Sequence, residues 1–140
     1  REWGIDELLH NAYQEGKIMS GVSAGAICWF EKGVTDSWDD ELRVLDCLGI
    51  IKGNCCPHYD EEPDRIPYTN KFLKEGLIDS IHCIEGGSAL HFVNELVKHN
   101  VSFHKSKNSY NVSIKDNQII KFANDMGIVL VFSESRHFNH

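Results

Sequence analysis

The chain has 140 residues, 41% apolar and 25% charged, with a formal charge of −7, the size and composition of one globular domain spanning residues 1–140 rather than of a disordered tail. Negative charge and scattered cations exclude the basic surface that nucleic-acid binding needs, and no apolar run approaches the length of a membrane span. Five cysteines, an odd number, with no secretory leader pattern at the start, point to reduced thiols in a cytoplasmic protein.

In chain order, Ile5, Leu8, Leu9, Ala12 and Tyr13 fall on one helical stripe that Gly16 closes. Lys17 to Val22 reads as a short buried strand, leading through Gly21–Gly25 into a second helix that runs to about Lys32, with Gly33 as its stop. Asp36 to Glu41 is an acidic loop, Val44 to Ile51 a strand or short helix, and Gly53 to Asp64 a loop holding Cys55, Cys56, Pro57, His58 and Tyr59. A third helix is predicted from near Pro67 to Glu75, with Gly76 ending it. Short strands follow at Ser80–Ile84, Ala89–Val93 and Val101–His104. Tyr110–Lys115 and Gln118–Phe122 flank an Asp116-Asn117 hairpin turn, and Ile128–Phe132 is a last strand. Helix and strand alternate first and hairpins dominate later, which predicts an α/β fold with a partly parallel sheet and an antiparallel C-terminal extension.

The segment Gly21-Val22-Ser23-Ala24-Gly25 is a G-x-S-x-G turn between a predicted strand and a predicted helix. That context suits a nucleophile: a sharp turn exposes the Ser23 hydroxyl, and the helix start beneath it offers free N–H groups to an oxyanion. The competing reading is a Gly-rich turn with no chemistry. A serine nucleophile needs a base, usually imidazole. Of the eight histidines, His58 sits in a loop of the kind that presents functional side chains. His10 and His99 read as exposed, His82 and His91 as strand residues, and His137 and His140 as tail residues.

Gly21-Val22-Ser23-Ala24-Gly25-Ala26, Cys56-Pro57-His58-Tyr59 and Ile84-Glu85-Gly86-Gly87-Ser88-Ala89-Leu90 together resemble the peptidase S51 family, which includes dipeptidase E and cyanophycinase. The resemblance covers most of residues 3 to 93. It implies a flavodoxin-like, mostly parallel sheet with helices on both faces, related to class I glutamine amidotransferases. It further implies a Ser-His-Glu triad acting on small peptides without a cofactor, with Ser23 as nucleophile, His58 as base and Glu85 as the acid that orients the imidazole. Asp36, Asp39 and Asp60 compete with Glu85 for a place near His58. The Ala24 N–H supplies one oxyanion donor. The family draws the second from a Gly-rich turn upstream of the first helix, a turn absent here, so the chain reads as the C-terminal portion of a longer domain. That makes a poorly active fragment expected, and the uncovered face of the first helix predicts self-association, including a homodimer.

Other readings stand beside this one. Cys55, Cys56, His58, His82 and Cys83 include zinc-type ligands, but adjacent strand residues point to opposite faces, so no metal site is expected. Cys28 reads as a core thiol among Ile27, Trp29 and Phe30 rather than a nucleophile. An interaction domain that has lost its chemistry, or a hydrolase for another amide or an ester, keeps the same fold. Arg43 and Arg65 are the cations that an aspartyl-selective pocket could draw on.

Overall fold

The computed structural model describes residues 2–37 and 41–113. Its elements in chain order are α1 (Ile5–Gln14), α2 (Ala24–Ile27), β1 (Phe30–Thr35), β2 (Arg43–Asp46), β3 (Ile51–Cys56), α3 (Arg65–Lys74), β4 (Ser80–Ile84), β5 (Ser88–Val93), β6 (Leu96–Ser102) and β7 (Ser109–Ser113). The main sheet has the order β2-β1-β3-β4-β7, and β5 and β6 form a separate hairpin. The β1–β3 and β3–β4 pairs are parallel, whereas the edges β1–β2 and β4–β7 are antiparallel. Among the described residues the fold is therefore α/β with a mixed sheet, parallel at its centre and antiparallel at its edges, in keeping with the partly parallel sheet read from the residues.

Two adjacent cysteines divide the core. Side chains alternate across a strand, so Cys56 joins Val34, Phe72, Leu73, Ile81 and Cys83 on the α3 side. Cys55 joins Ile27 and Phe30 on the α2 side, flanked by Ile84 and Phe92. A register irregularity between Phe30 and Lys32 turns Phe30 toward the α2 layer while Val34 faces α3. Among the described residues no helix is long and apolar enough to cross a membrane.

α3 forms because Arg65, Thr69, Phe72 and Leu73 bury one face at helical spacing, Pro67 lies in the first turn, and Lys71 and Lys74 complement the dipole at the last. Gly76, with φ 71°, ends it as expected. α1 likewise stops at Gly16, with φ 76°, yet none of its residues is buried.

Two expectations near the start fail. Lys17–Val22 is not a strand: Ile18 is 98% exposed and Val22 85%. Among the described residues it has no strand neighbour to take up its backbone N–H and C=O groups, and a strand without a ladder is not stable. The second helix ends at Ile27 rather than Lys32, because Phe30–Thr35 is drawn into the sheet between β2 and β3. Gly33, expected as a helix stop, lies inside β1, where a Cβ would come within 2.6 Å of the Ile27 Cβ. Its place follows from close helix–strand packing. The Gly53–Asp64 loop also loses its first residues to β3, and the Val101–His104 strand lies earlier, in β6. The 116–117 turn, the strands expected at 118–122 and 128–132, and His137 and His140 lie outside the described residues.

Candidate active site

The site lies at the carboxyl ends of the parallel strands β3 and β4, where open α/β sheets place their ligand crevices. Ser23 precedes α2 with φ 55° and ψ −120°, a strained conformation for a residue with a side chain. The turn holds through Gly25 N–H to Val22 O at 2.9 Å and Ala26 N–H to Ser23 O at 2.9 Å. Gly21 makes it possible, since a Cβ there would stand 1.7 Å from the Gly25 carbonyl oxygen. Ala24 is the first helical residue, so its N–H belongs to the group that a helix cannot satisfy internally.

β3 delivers the histidine. After buried Cys56 and Pro57, His58 takes φ 54°, and its carbonyl accepts the N–H groups of Glu61 at 3.1 Å and Glu62 at 3.3 Å. Tyr59 N–H to Ile84 O, 3.0 Å, anchors this loop to β4. The His58 Nε2 lies 3.0 Å from Ser23 Oγ, and Nδ1 lies 2.7 Å from Glu61 Oε2. An ionised carboxylate accepts only, so it fixes the proton of a neutral imidazole on Nδ1 and leaves the Nε2 lone pair for the Ser23 O–H.

Glu85 is not brought to His58. Its Oε2 accepts the Asn108 N–H at 2.9 Å, and its own N–H donates to Asn108 O at 3.2 Å. The carboxylate on the imidazole is that of Glu61, because a loop closing on the His58 carbonyl sets residue 61 back over the ring. The glycines after Glu85 still reach the site. The Gly86 N–H donates to Asp60 Oδ1 at 2.8 Å, and a Cβ on Gly86 would fall 2.1 Å from Glu61 Oε1. The segment thus lies against both Asp60 and Glu61 through Gly86. Sequence reasoning weighed Asp36, Asp39 and Asp60 near His58 but not Glu61, whose signal is its place three residues after the histidine. Asp60 pairs with Lys107, Asp36 lies 3.6 Å from Arg65, and Asp39 falls outside the described residues.

The remaining candidates go elsewhere. Arg65 is 4% exposed; its Nη1 donates to Val34 O at 2.9 Å and its Nε to Glu62 at 2.7 Å, so it is an internal anchor rather than a substrate ligand. Arg43 lies on the edge strand β2. The Cys28 thiol donates to Gly25 O at 3.2 Å, and burial pushes its pKa up, against thiolate chemistry. His82 packs between Phe30 and Phe92, His91 stacks on His99 across the hairpin, and His10 is on α1. Cys55 faces His82 in register and Cys56 faces Cys83, so the thiol and imidazole groups divide between two layers.

A family model, peptidase family S51, matches residues 1–100. This chain belongs to peptidase family S51. It is 40% identical over 119 residues to the uncharacterized peptidase YgaJ of Bacillus subtilis (strain 168), an alignment covering 85% of this chain and 51% of that protein. The chain thus spans about half the length of the curated relative it matches. S51 membership makes it peptidase-like, and the S51 match covers the serine turn, the histidine loop and the Glu85-Gly86-Gly87 segment alike.

Proposed function

We propose that this S51 chain carries the nucleophile and base of a serine peptidase acting on small peptides in the manner of dipeptidase E, with Ser23, His58 and Glu61 as its triad. The observation that carries this reading is the 3.0 Å contact between Ser23 Oγ and an imidazole whose other nitrogen meets a carboxylate at 2.7 Å. Ser23 attacks the scissile carbonyl as His58 Nε2 takes its proton. Glu61 holds the ring and stabilises the imidazolium, which then protonates the leaving amine. Water hydrolyses the acyl-enzyme with His58 again as base. The Ala24 N–H is one donor to the oxyanion. Removal of one such donor typically costs roughly 100- to 1,000-fold in rate, so a full site needs a second. Five free thiols favour a reducing, cytoplasmic setting.

A second reading is a domain with impaired chemistry, favoured by the exposed approach to Ser23 through Ile18 and Val22. Labelling with a small fluorophosphonate separates the two. The active reading expects one adduct, on Ser23, abolished in Ser23→Ala. Adducts spread over several serines, or unchanged in that variant, would sink it.

A further inference from the structure

The β5–β6 hairpin turns at Asn94 and Glu95, whose φ values of 51° and 65° belong to the tight two-residue turn with positive φ at both positions. That turn pairs Val93 with Leu96 and Phe92 with Val97. Continued without a break, the ladder would set Lys98 opposite His91. Instead the register shifts between His91 and Phe92, Lys98 is left over, and His99 stands opposite His91. The two imidazoles stack with their centroids 5.3 Å apart and their planes 18° from parallel. We propose that His91 and His99 form a two-histidine site for a divalent transition cation of the zinc class, which clips β5 to β6. The site stands apart from the reading of Ser23 and His58 and does not rest on it.

Three features carry the assignment. The first is presentation. Phe92 packs against Phe30 and His82, so its neighbour His91 faces the other side of the strand, and both histidines are exposed. Imidazole is the side chain that zinc, copper and nickel ions accept in common. One such ion holds two imidazole nitrogens at about 2.0–2.1 Å, which sets them roughly 3.3 Å from each other. Rotation of two exposed side chains brings stacked rings to that separation without moving the backbone. The second feature is the surround. The flanking pairs on the same face, Ala89 with Val101 and Val93 with Leu96, are uncharged, so neither sets an ammonium against the ion. Among the described residues no third histidine, cysteine or carboxylate completes a cluster, which leaves the remaining coordination positions to water. The third is need. β6 is exposed along all seven of its residues, and a two-stranded hairpin is marginal in water on its own. Its ends frame the Gly86-Gly87 segment: β5 begins at Ser88, and the Phe103 N–H after β6 donates to Gly87 O at 2.9 Å. A cation held across the strands steadies that frame.

A pair held by ring packing alone would take no ion, and the test separates the two cases. Zinc chloride is titrated by calorimetry into the 140-residue chain, and amide hydrogen exchange over residues 88–102 is followed with and without zinc. Wild type is compared with His91→Gln, His99→Gln and His91→Phe. Two imidazoles offered to one ion bind it far better than either alone, so each variant is expected to lose about 100-fold in zinc affinity. Zinc is expected to slow exchange across 88–102 in wild type only. His91→Phe keeps a ring against His99 and removes the ligand; its zinc-free exchange, equal to that of wild type, shows the hairpin intact. Equal zinc affinity in wild type and His99→Gln overturns the site. So does hairpin exchange that zinc leaves unchanged in wild type, or that zinc still slows in His91→Phe.

Discussion

The central sheet and the N-terminal approach to Ser23 are built from similar residues and end in opposite states. In the sheet, Leu73, Ile81, Val34 and three cysteines are sealed between α3, α2 and the strands. In the approach, Trp3, Ile5, Leu8, Ile18 and Val22 are exposed, and α1 buries none of its residues. α1 still touches the hairpin, where the Tyr13 hydroxyl donates to Glu95 at 3.1 Å. Apolar content alone does not make a core: burial requires layers on both sides. The serine stands at the seam, its following helix anchored in the sheet and its preceding segment in the open.

The largest effect expected from this contrast is Leu73→Ala, which leaves a cavity in a fully buried position and should cost about 2–5 kcal/mol in urea unfolding. A cost under 1 kcal/mol would mean the sheet layer is as loose as the approach. Gly33→Ala comes next, at about 1–3 kcal/mol, because its methyl meets Ile27 across the β1–α2 contact. Ile27 closes the helix that Ser23 opens, so labelling of Ser23 should slow in the same variant; an unchanged rate would separate the turn from its support.

Acid should act on the sheet through His82. Burial lowers its pKa from 6.5, so the unfolded chain takes up a proton first as pH falls below that value. Stability is complete above it and declines below, until the folded imidazole protonates too. Unfolding midpoints measured at pH 7.5 and 5.5 should differ less in His82→Phe than in wild type; an equal difference would acquit His82. The smallest effect on stability is expected from Leu8→Glu, within about 0.5 kcal/mol. The same change should lower the apparent mass of the 140-residue chain in light scattering, since exposed apolar surface promotes association. A wild-type chain that is monomeric at every concentration would show that this surface is inert.

What the sequence disclosed, and what it hid, follows the same divide. α3 and β4 were legible because their apolar spacing, Pro67 and Gly76 are local signals. The meeting of Ser23 and His58 was legible because small residues and a Cys-Pro-His run mark where the backbone must turn. The fate of Phe30–Thr35 was not, because a place between two strands outweighs helical propensity. Nor was the contact of Glu61 with the His58 imidazole, which depends on a left-handed His58 whose carbonyl closes the loop.

Cys55 and Cys56 are neighbours in the chain but belong to different layers. Together they make β3 a two-channel recorder of how the molecule opens. A thiol reagent that reaches Cys55 first reports release of the layer carrying the serine helix, while prior reaction at Cys56 reports loosening behind the histidine loop. Because the two sulfurs share one strand, differences in their exchange reflect which layer leaves the sheet rather than where the strand frays.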